Sequence, residues 1–337
     1  MISHNKPTIS RDDKKAISNV LSSGWLAQGK EVKLFEDELC EFFNIPYGHA
    51  LAVSSGSSAL YLALWVLNAK NKNIGSSVYA CAALRNAIGL AGGMPFYFDC
   101  GKNSPNIEIR SIKNDLIDIL IAPSIFGIPT GIPNKKEFKI IEDIAQSFGA
   151  ISCGERIGLR GDIGICSFYA TKMITSGGEG GAIISKDKTL IDELRDYRQF
   201  DCREDSKIRF NFQMTDTQAS MGRTQLLNIS EYIKKREKIF QIYKSYGLNL
   251  IDTNYKDDIP VRYRAVIKCN SPKELIKELE SKNIQAIVPV EEWELLDKTK
   301  NYPNALKLST EAVSLPIYPT LRENDAKIIG KIAKNFS

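Results

Sequence analysis

Histidine is nearly missing from this chain: His4 and His49 are the only two in 337 residues. A Ser-His-Asp triad, an HExxH metal site or a cluster of several histidines has almost nothing to be built from. Cysteine lacks a pattern rather than numbers. The seven (Cys40, Cys81, Cys100, Cys153, Cys166, Cys202 and Cys269) are odd in count and scattered, without a CxxC pair. They suit reduced, mostly buried thiols better than a disulfide frame or a zinc site. Long basic runs are absent too. The net charge is +5, and KKREK (Lys234 to Lys238) sits inside an apolar helical pattern, so no nucleic-acid partner is expected. No segment approaches the length of a membrane span, and the opening MISHNKPTISRDDKK has no apolar leader core. The expectation is a cytoplasmic enzyme with no membrane partner.

What is present reads as a globular protein, 43% hydrophobic and 25% charged. The length exceeds one small core, and the pattern suggests a large domain over 1–230 and a smaller one over 231–337. Two helical pieces flank a glycine-containing break in 8–44. Ala50 to Val53 form a strand, followed by SSGSSAL and a helix with Leu60, Ala63, Leu64 and Leu67 on one face. Strand and helix patterns then alternate, with Val78 to Ala80 before a helix and apolar strands at Met94 to Cys100, Asp118 to Phe126 and Lys139 to Ala145. Near-continuous apolar strands in such an alternation predict an α/β fold with a mostly parallel sheet covered by helices. One long helix is expected over about 215–246. A small α/β unit follows, with RYRAVIKC and IQAIVPV as its strands and an amphipathic helix at the end.

Three stretches carry chemistry. Gly161 to Ser185, GDIGICSFYATKMITSGGEGGAIIS, is strand, lysine, glycine-rich turn and strand. A lysine between two buried strands is costly unless its amine is used, and burial favours the neutral nucleophile that Schiff-base chemistry needs. SSGSSAL (Ser54 to Leu60) is strand, glycine turn and helix start, which reads equally as a phosphate cradle or a plain N-cap. IIEDIAQSFGA (Ile140 to Ala150) puts Glu142 and Asp143 at the carboxyl end of a strand, where open parallel sheets bind ligands, although a structural carboxylate fits as well. Taken together, a phosphate cradle, a carboxylate for a ring nitrogen and an amine for an aldehyde are the anchors of pyridoxal 5′-phosphate.

In this order the motifs resemble the DegT/DnrJ/EryC1/StrS family of PLP-dependent sugar aminotransferases, of fold type I. The match extends to GWLAQGKEVKLFEDEL, NAIGLAGGMPFYFD, NFQMTDTQASMGRTQL and SLPIYP. The resemblance implies that Lys172 forms the internal aldimine and moves the proton in a ping-pong transamination, with pyridoxamine 5′-phosphate as the intermediate form. It implies Asp143 on the pyridinium nitrogen, Gln146 against the ring, and Gly56, Ser57 and Ser167 on the phosphate. Asn211 would reach the phosphate of the neighbouring subunit, making the active site a homodimer-interface feature. A lysine at 172, where dehydratase relatives carry histidine, favours transamination. The family's ring-stacking aromatic is replaced, in register, by Cys81. The late substrate-side segment reads VPVEEWELLD, with Glu291, Glu292 and Trp293. The substrates implied are an amino donor, glutamate, and a keto-sugar, most often nucleotide-linked. Two other readings stay open: a non-nucleotide sugar or small keto-metabolite as acceptor, and a PLP-binding protein without turnover. A dinucleotide-dependent oxidoreductase fails on context, because GGEGGA lacks GxGxxG spacing and precedes a strand.

Overall fold

Alternation of side chains decides how the central sheet is buried. In the computed structural model, which describes residues 1–113, 115–134 and 137–336, Leu51 and Val53 face one apolar cluster. Ala50 and Ala52 face another, and Ile183 and Ile165 are likewise opposite Ala182, Ile184 and Cys166. A sheet apolar on both faces needs helices on both faces, and that is the arrangement found.

The chain starts with helices α1 (Arg11–Ser23) and α2 (Lys30–Phe43), then strand β1 (Ala50–Val53), α3 (Gly56–Val66), β2 (Asn73–Ser77), α4 (Ala82–Leu90) and β3 (Met94–Phe98). Strands β4 (Ile119–Pro123) and β5 (Lys139–Asp143) follow, then the short β6 (Ile151–Ser152) and β7 (Glu155–Arg156), β8 (Ile163–Ser167) and β9 (Gly181–Ile184). The seven-stranded sheet has the order β1-β9-β8-β5-β4-β2-β3. Only β9 runs against its neighbours; the other pairs are parallel. Helix α2 has no side-chain cap of its own at Gly29. Asp216 supplies one, accepting from the N–H of Gly29 at 2.7 Å and Val32 at 3.1 Å.

Helix α5 (Lys188–Arg198) leads to α6 (Asp216–Leu227) and α7 (Ile229–Ser245). The single helix expected over 215–246 is thus two. Asn228 ends one and starts the other with its Nδ2 turned back onto the Thr224 carbonyl at 2.8 Å. After β10 (Asp258–Ile259), strand β11 (Ala265–Lys268) pairs with β12 (Ala312–Leu315). They pack with α7, α8 (Pro272–Ser281) and α10 (Glu323–Ala333) around Phe240, Leu275, Ile267, Val313 and Ile329. Helix α9 (Pro303–Glu311) precedes β12.

Two strand expectations shift. IQAIVPV forms no strand; Ile284 and Ile287 make isolated bridges to Ile2 and Ser314, and Pro289 has no N–H to extend them. Val78 to Ala80 lie beyond β2, because the Ser77 hydroxyl accepts the Tyr79 N–H at 3.2 Å and turns the chain. Among the described residues no helix is long and apolar enough to cross a membrane, and all seven cysteines are unpaired.

Candidate functional site

The turn holding Lys172 is closed by its own backbone. Strands β8 and β9 are antiparallel, with Ser167 opposite Gly181. Beyond them Phe168 N–H donates to the Gly180 carbonyl at 2.8 Å and Ala170 N–H to that of Gly178 at 2.9 Å. Gly178 has φ 127°, and a Cβ there would meet nothing within 4 Å. Conformation, not space, therefore calls for glycine. Lys172 is half-buried rather than buried. Its Nζ lies 5.3 Å from the centroid of the Tyr263 ring.

Asp143 and Glu142 close β5 and diverge. Glu142 turns into the 158–161 loop, accepting N–H groups from Gly158 at 2.9 Å and from Arg160 and Gly161 at 2.6 Å each. Asp143 is 6% exposed and accepts one N–H, from Ala145 at 2.9 Å. Burial raises its pKa, against the pull of the Ala145 bond and of the Lys172 charge. Lysine and aspartate therefore feel each other across the site. Gln146 uses its Oε1 to accept the Phe126 N–H at 2.9 Å. Phe126 is held at φ 61°, and its carbonyl accepts from Arg264 N–H at 3.3 Å.

At the start of α3 the Ser55 hydroxyl caps Ser58 N–H at 3.1 Å. Among the described residues the N–H groups of Gly56 and Ser57 have no intrahelical acceptor, as first-turn groups do not. Ser167 presses against this end: a Cβ on Gly56 would sit 2.7 Å from Ser167 Cβ and 2.9 Å from its Oγ. Backbone donors, a hydroxyl and the positive end of an 11-residue helix converge there. The donor set suits pyridoxal 5′-phosphate: N–H and hydroxyl groups for a phosphate, a buried carboxylate with one N–H partner for a ring nitrogen, and an amine for an aldehyde.

The remaining expected residues lie at the margin. Cys81 is exposed at the N-terminus of α4 and makes no cap hydrogen bond. Tyr79 is fully buried, edge-on to Phe126 at 6.0 Å, so it offers no exposed ring beside Cys81. Asn211 is exposed, its Oδ1 accepting Gln213 N–H at 3.0 Å, while the next residue's carbonyl holds Ser54 N–H at 2.9 Å. Glu291, Glu292 and Trp293 form a short turn next to this region, joined by Leu296 N–H to the Val78 carbonyl at 3.0 Å. Sequence reasoning missed Tyr263, which lies beside the lysine, with Arg264 next to it and His4 behind Arg264. Arg264 Cζ is 5.6 Å from the Tyr263 centroid. Burial pushes the Tyr263 phenol up, but Lys172, then Arg264, a Thr171 hydrogen bond and Arg236 bring it below its usual value. The only sequence signal was the pair of arginines in RYR, just before β11.

A family model of DegT/DnrJ/EryC1/StrS aminotransferases matches residues 7–333. The chain is 26% identical to the GDP-perosamine synthase of Escherichia coli O157:H7, over 98% of this chain and 97% of the relative. It is 30% identical to the UDP-4-amino-4,6-dideoxy-N-acetyl-beta-L-altrosamine transaminase of Campylobacter jejuni subsp. jejuni serotype O:23/36, over 72% of this chain and 69% of the relative. The fold superposes on that of Helicobacter pylori PseC, an aminotransferase of pseudoaminic acid biosynthesis, with a TM-score of 0.88 at 23% identity, covering 99% of each chain.

Proposed function

The chain belongs to the DegT/DnrJ/EryC1/StrS aminotransferase family, and we propose that it moves an amino group from glutamate to the keto carbon of a nucleotide-linked sugar, with Lys172 as the catalytic amine. The family is one of PLP-dependent sugar aminotransferases. The finer reading is carried by one observation: buried Asp143, which accepts a single N–H, ends β5 beside β8, and β8 leads directly into the turn that holds Lys172. The nucleotide part is supported by two relatives named for GDP- and UDP-linked products.

When bound, pyridoxal 5′-phosphate supplies an electron sink and carries the amino group as pyridoxamine 5′-phosphate. Asp143 would hold the proton on the ring nitrogen. Gly56, Ser57 and Ser167 would hold the phosphate, and Gln146 and Cys81 would serve as the remaining cofactor-binding residues. Lys172 Nζ takes the proton from the donor α-carbon and later delivers one to the carbon aminated in the sugar. The two half-reactions share one site, hence ping-pong kinetics. A homodimer belongs to this proposal, with Asn211 facing the neighbouring subunit, as do a division at 230/231 and a cytoplasmic location. The exposed Trp293 beside Glu291 and Glu292 favours a second reading, a non-nucleotide acceptor, because carboxylates repel a diphosphate.

The test is amino transfer by the purified holoenzyme from glutamate to nucleotide-linked keto-sugars, free keto-sugars and keto-acids. We expect an amino sugar from the first group. Lys172→Ala should lose turnover by about 10⁴-fold or more, with its circular dichroism unchanged. Activity confined to keto-acids would overturn the sugar assignment, and near-normal turnover of the lysine variant would overturn the mechanism.

A further inference from the structure

Beside the lysine turn lies a small cavity whose charged lining is all of one sign. Lys6, Lys172 and Arg236 border it, together with Thr8, Gln225 and Tyr232, and no aspartate or glutamate does. Among the described residues none of the three cations forms an ion pair with a carboxylate. Elsewhere Arg195, Arg198, Arg223 and Arg262 all do. Of the residues assigned to the cofactor only Lys172 lines the cavity. The segment carrying Lys6 and Thr8 is tied to the lysine turn and to α6. Asn5 Nδ2 donates to the Thr171 carbonyl at 3.0 Å, and Gln225 Nε2 to the Thr8 carbonyl at 2.9 Å.

Arg236 is 2% exposed, and its hydrogen bonds among the described residues all run from Nη1. They reach the carbonyls of Arg262 at 3.4 Å, Tyr263 at 3.2 Å and Ile317 at 3.0 Å. Its Nε is buried without a partner, and so is the Thr8 hydroxyl oxygen. A buried charge with neither a counter-ion nor its full set of hydrogen bonds is costly. Burial brings the Arg236 guanidinium down to about 10, and what works against that is Tyr263, not a carboxylate. The acid next to this cluster, Asp13, is already engaged. It accepts from Gln225 Nε2 at 2.8 Å, Ser10 N–H at 2.7 Å and the Thr224 hydroxyl at 2.6 Å.

We propose that the cavity is a binding site for one monatomic anion, chloride, held by Arg236 Nε–H and the Thr8 hydroxyl. The proposal stands whether or not Lys172 transfers an amino group. Size argues for a single small occupant. At about 10 Å³ the cavity takes one water or one halide and leaves no room for a phosphate or a carboxylate. Charge argues against the water, which would satisfy the two orphan groups yet leave three cations without a counter-ion. A halide accepts from Arg236 Nε and from Thr8 alike, and brings the charge that the lining lacks. The Arg236 charge also acts on His4 and Tyr263. An anion beside it therefore balances the field around the lysine turn.

Two measurements on the holoenzyme, prepared free of chloride, test this. In crystals soaked in sodium bromide, anomalous scattering should place one bromide in contact with Arg236 Nε and Thr8 Oγ1. In solution, sodium chloride should raise the melting temperature by about 2 °C over sodium methanesulfonate at equal ionic strength. Methanesulfonate is too large for the cavity and controls for screening. Thr8→Val keeps the shape of the side chain and leaves the carbonyl bonds of Arg236 in place. It should raise the chloride concentration that gives half of the shift by about 3- to 10-fold, the size of one lost hydrogen bond. Arg236→Met should abolish both the bromide peak and the chloride shift, and if that variant does not fold, the Thr8→Val comparison decides. A water at the site with no bromide, a melting temperature indifferent to chloride, or a chloride shift unaltered in Thr8→Val would each overturn the assignment. So would bromide bound only at other positions, an adventitious ion only. Amino transfer is not a readout here, so an inactive holoenzyme that passes these tests would sink the aminotransferase reading and leave the anion site standing.

Discussion

Glu142 and Asp143 are neighbours at the end of one strand, both almost wholly buried, yet the regions they enter differ. Glu142 enters a loop built to receive it, where three backbone N–H groups meet its two oxygens. Asp143 accepts one N–H, and the Lys172 charge acts on it. Burial raises both acids, more than hydrogen bonds lower them. A related contrast separates Arg236, whose Nη1 reaches three carbonyls although its buried Nε has no partner, from half-buried Arg264, held by two long contacts. A buried polar group whose partners lie within the fold is part of the scaffold. One left short of partners, beside an amine, is waiting for a ligand.

The largest effect expected from breaking this comparison is at Asp143. Asp143→Asn keeps the shape but cannot hold a proton on a ring nitrogen, so turnover should fall on the order of 10²- to 10⁴-fold. Stability should move the other way. A carboxyl whose folded pKa is raised contributes stability that is fully present below its unfolded pKa and lost as pH rises through the folded value. Removing the charge removes that loss. Cofactor-free Asp143→Asn should melt above the cofactor-free parent at neutral pH, and the two should converge below about pH 4. A variant that melts lower at neutral pH and turns over normally would put Asp143 in the same class as Glu142.

That difference could not be read from ED in IIEDIA, where the two acids are adjacent letters. The sequence does carry the fold, because two-sided apolar strands such as Ile163 to Ser167 leave only a covered sheet as a solution. It also carries SSGSSAL, Asp143 and Lys172, since turn glycines and strand tips have local signatures. Partners that arrive from far along the chain leave no local trace. The 158–161 loop that claims Glu142, the capping of α2 by Asp216, and the convergence of His4, Arg264 and Ser314 are separated by up to 310 residues. Periodicity sees neighbours three or four apart. For the same reason IQAIVPV passed as a strand: its apolar alternation is real, but the β12 edge it would pair with is engaged at Ser314 alone.

Glu142→Gln sharpens the comparison from the structural side, with a smaller effect. A glutamine offers one oxygen where the loop presents three donors, and its NH₂ would face a backbone N–H. We expect a loss of about 2 kcal/mol in urea unfolding, with kcat within about threefold of the parent. A large loss of kcat in a variant that unfolds normally would show that Glu142 also serves the site.

The smallest effect lies at the third anchor, where geometry rather than charge separates two glycines. At Gly56 an added Cβ would stand 2.7 Å from Ser167 Cβ, whereas at Gly178 it would meet open space and be strained only by φ 127°. Gly56→Ala must therefore push Ser167 away from the α3 terminus, moving a hydroxyl and not merely a turn. Overpacking of this kind costs about 1–3 kcal/mol. If it falls on the phosphate contacts, affinity for pyridoxal 5′-phosphate drops by about tenfold, measured by titrating cofactor into the cofactor-free protein. Ser167→Gly in the same chain restores the space without the hydroxyl, so it should recover part of that affinity. Gly178→Ala should lower the melting temperature and leave cofactor affinity nearly unchanged. If the two alanine variants lose affinity alike, strain in the turn governs the cofactor and the cradle at α3 does not.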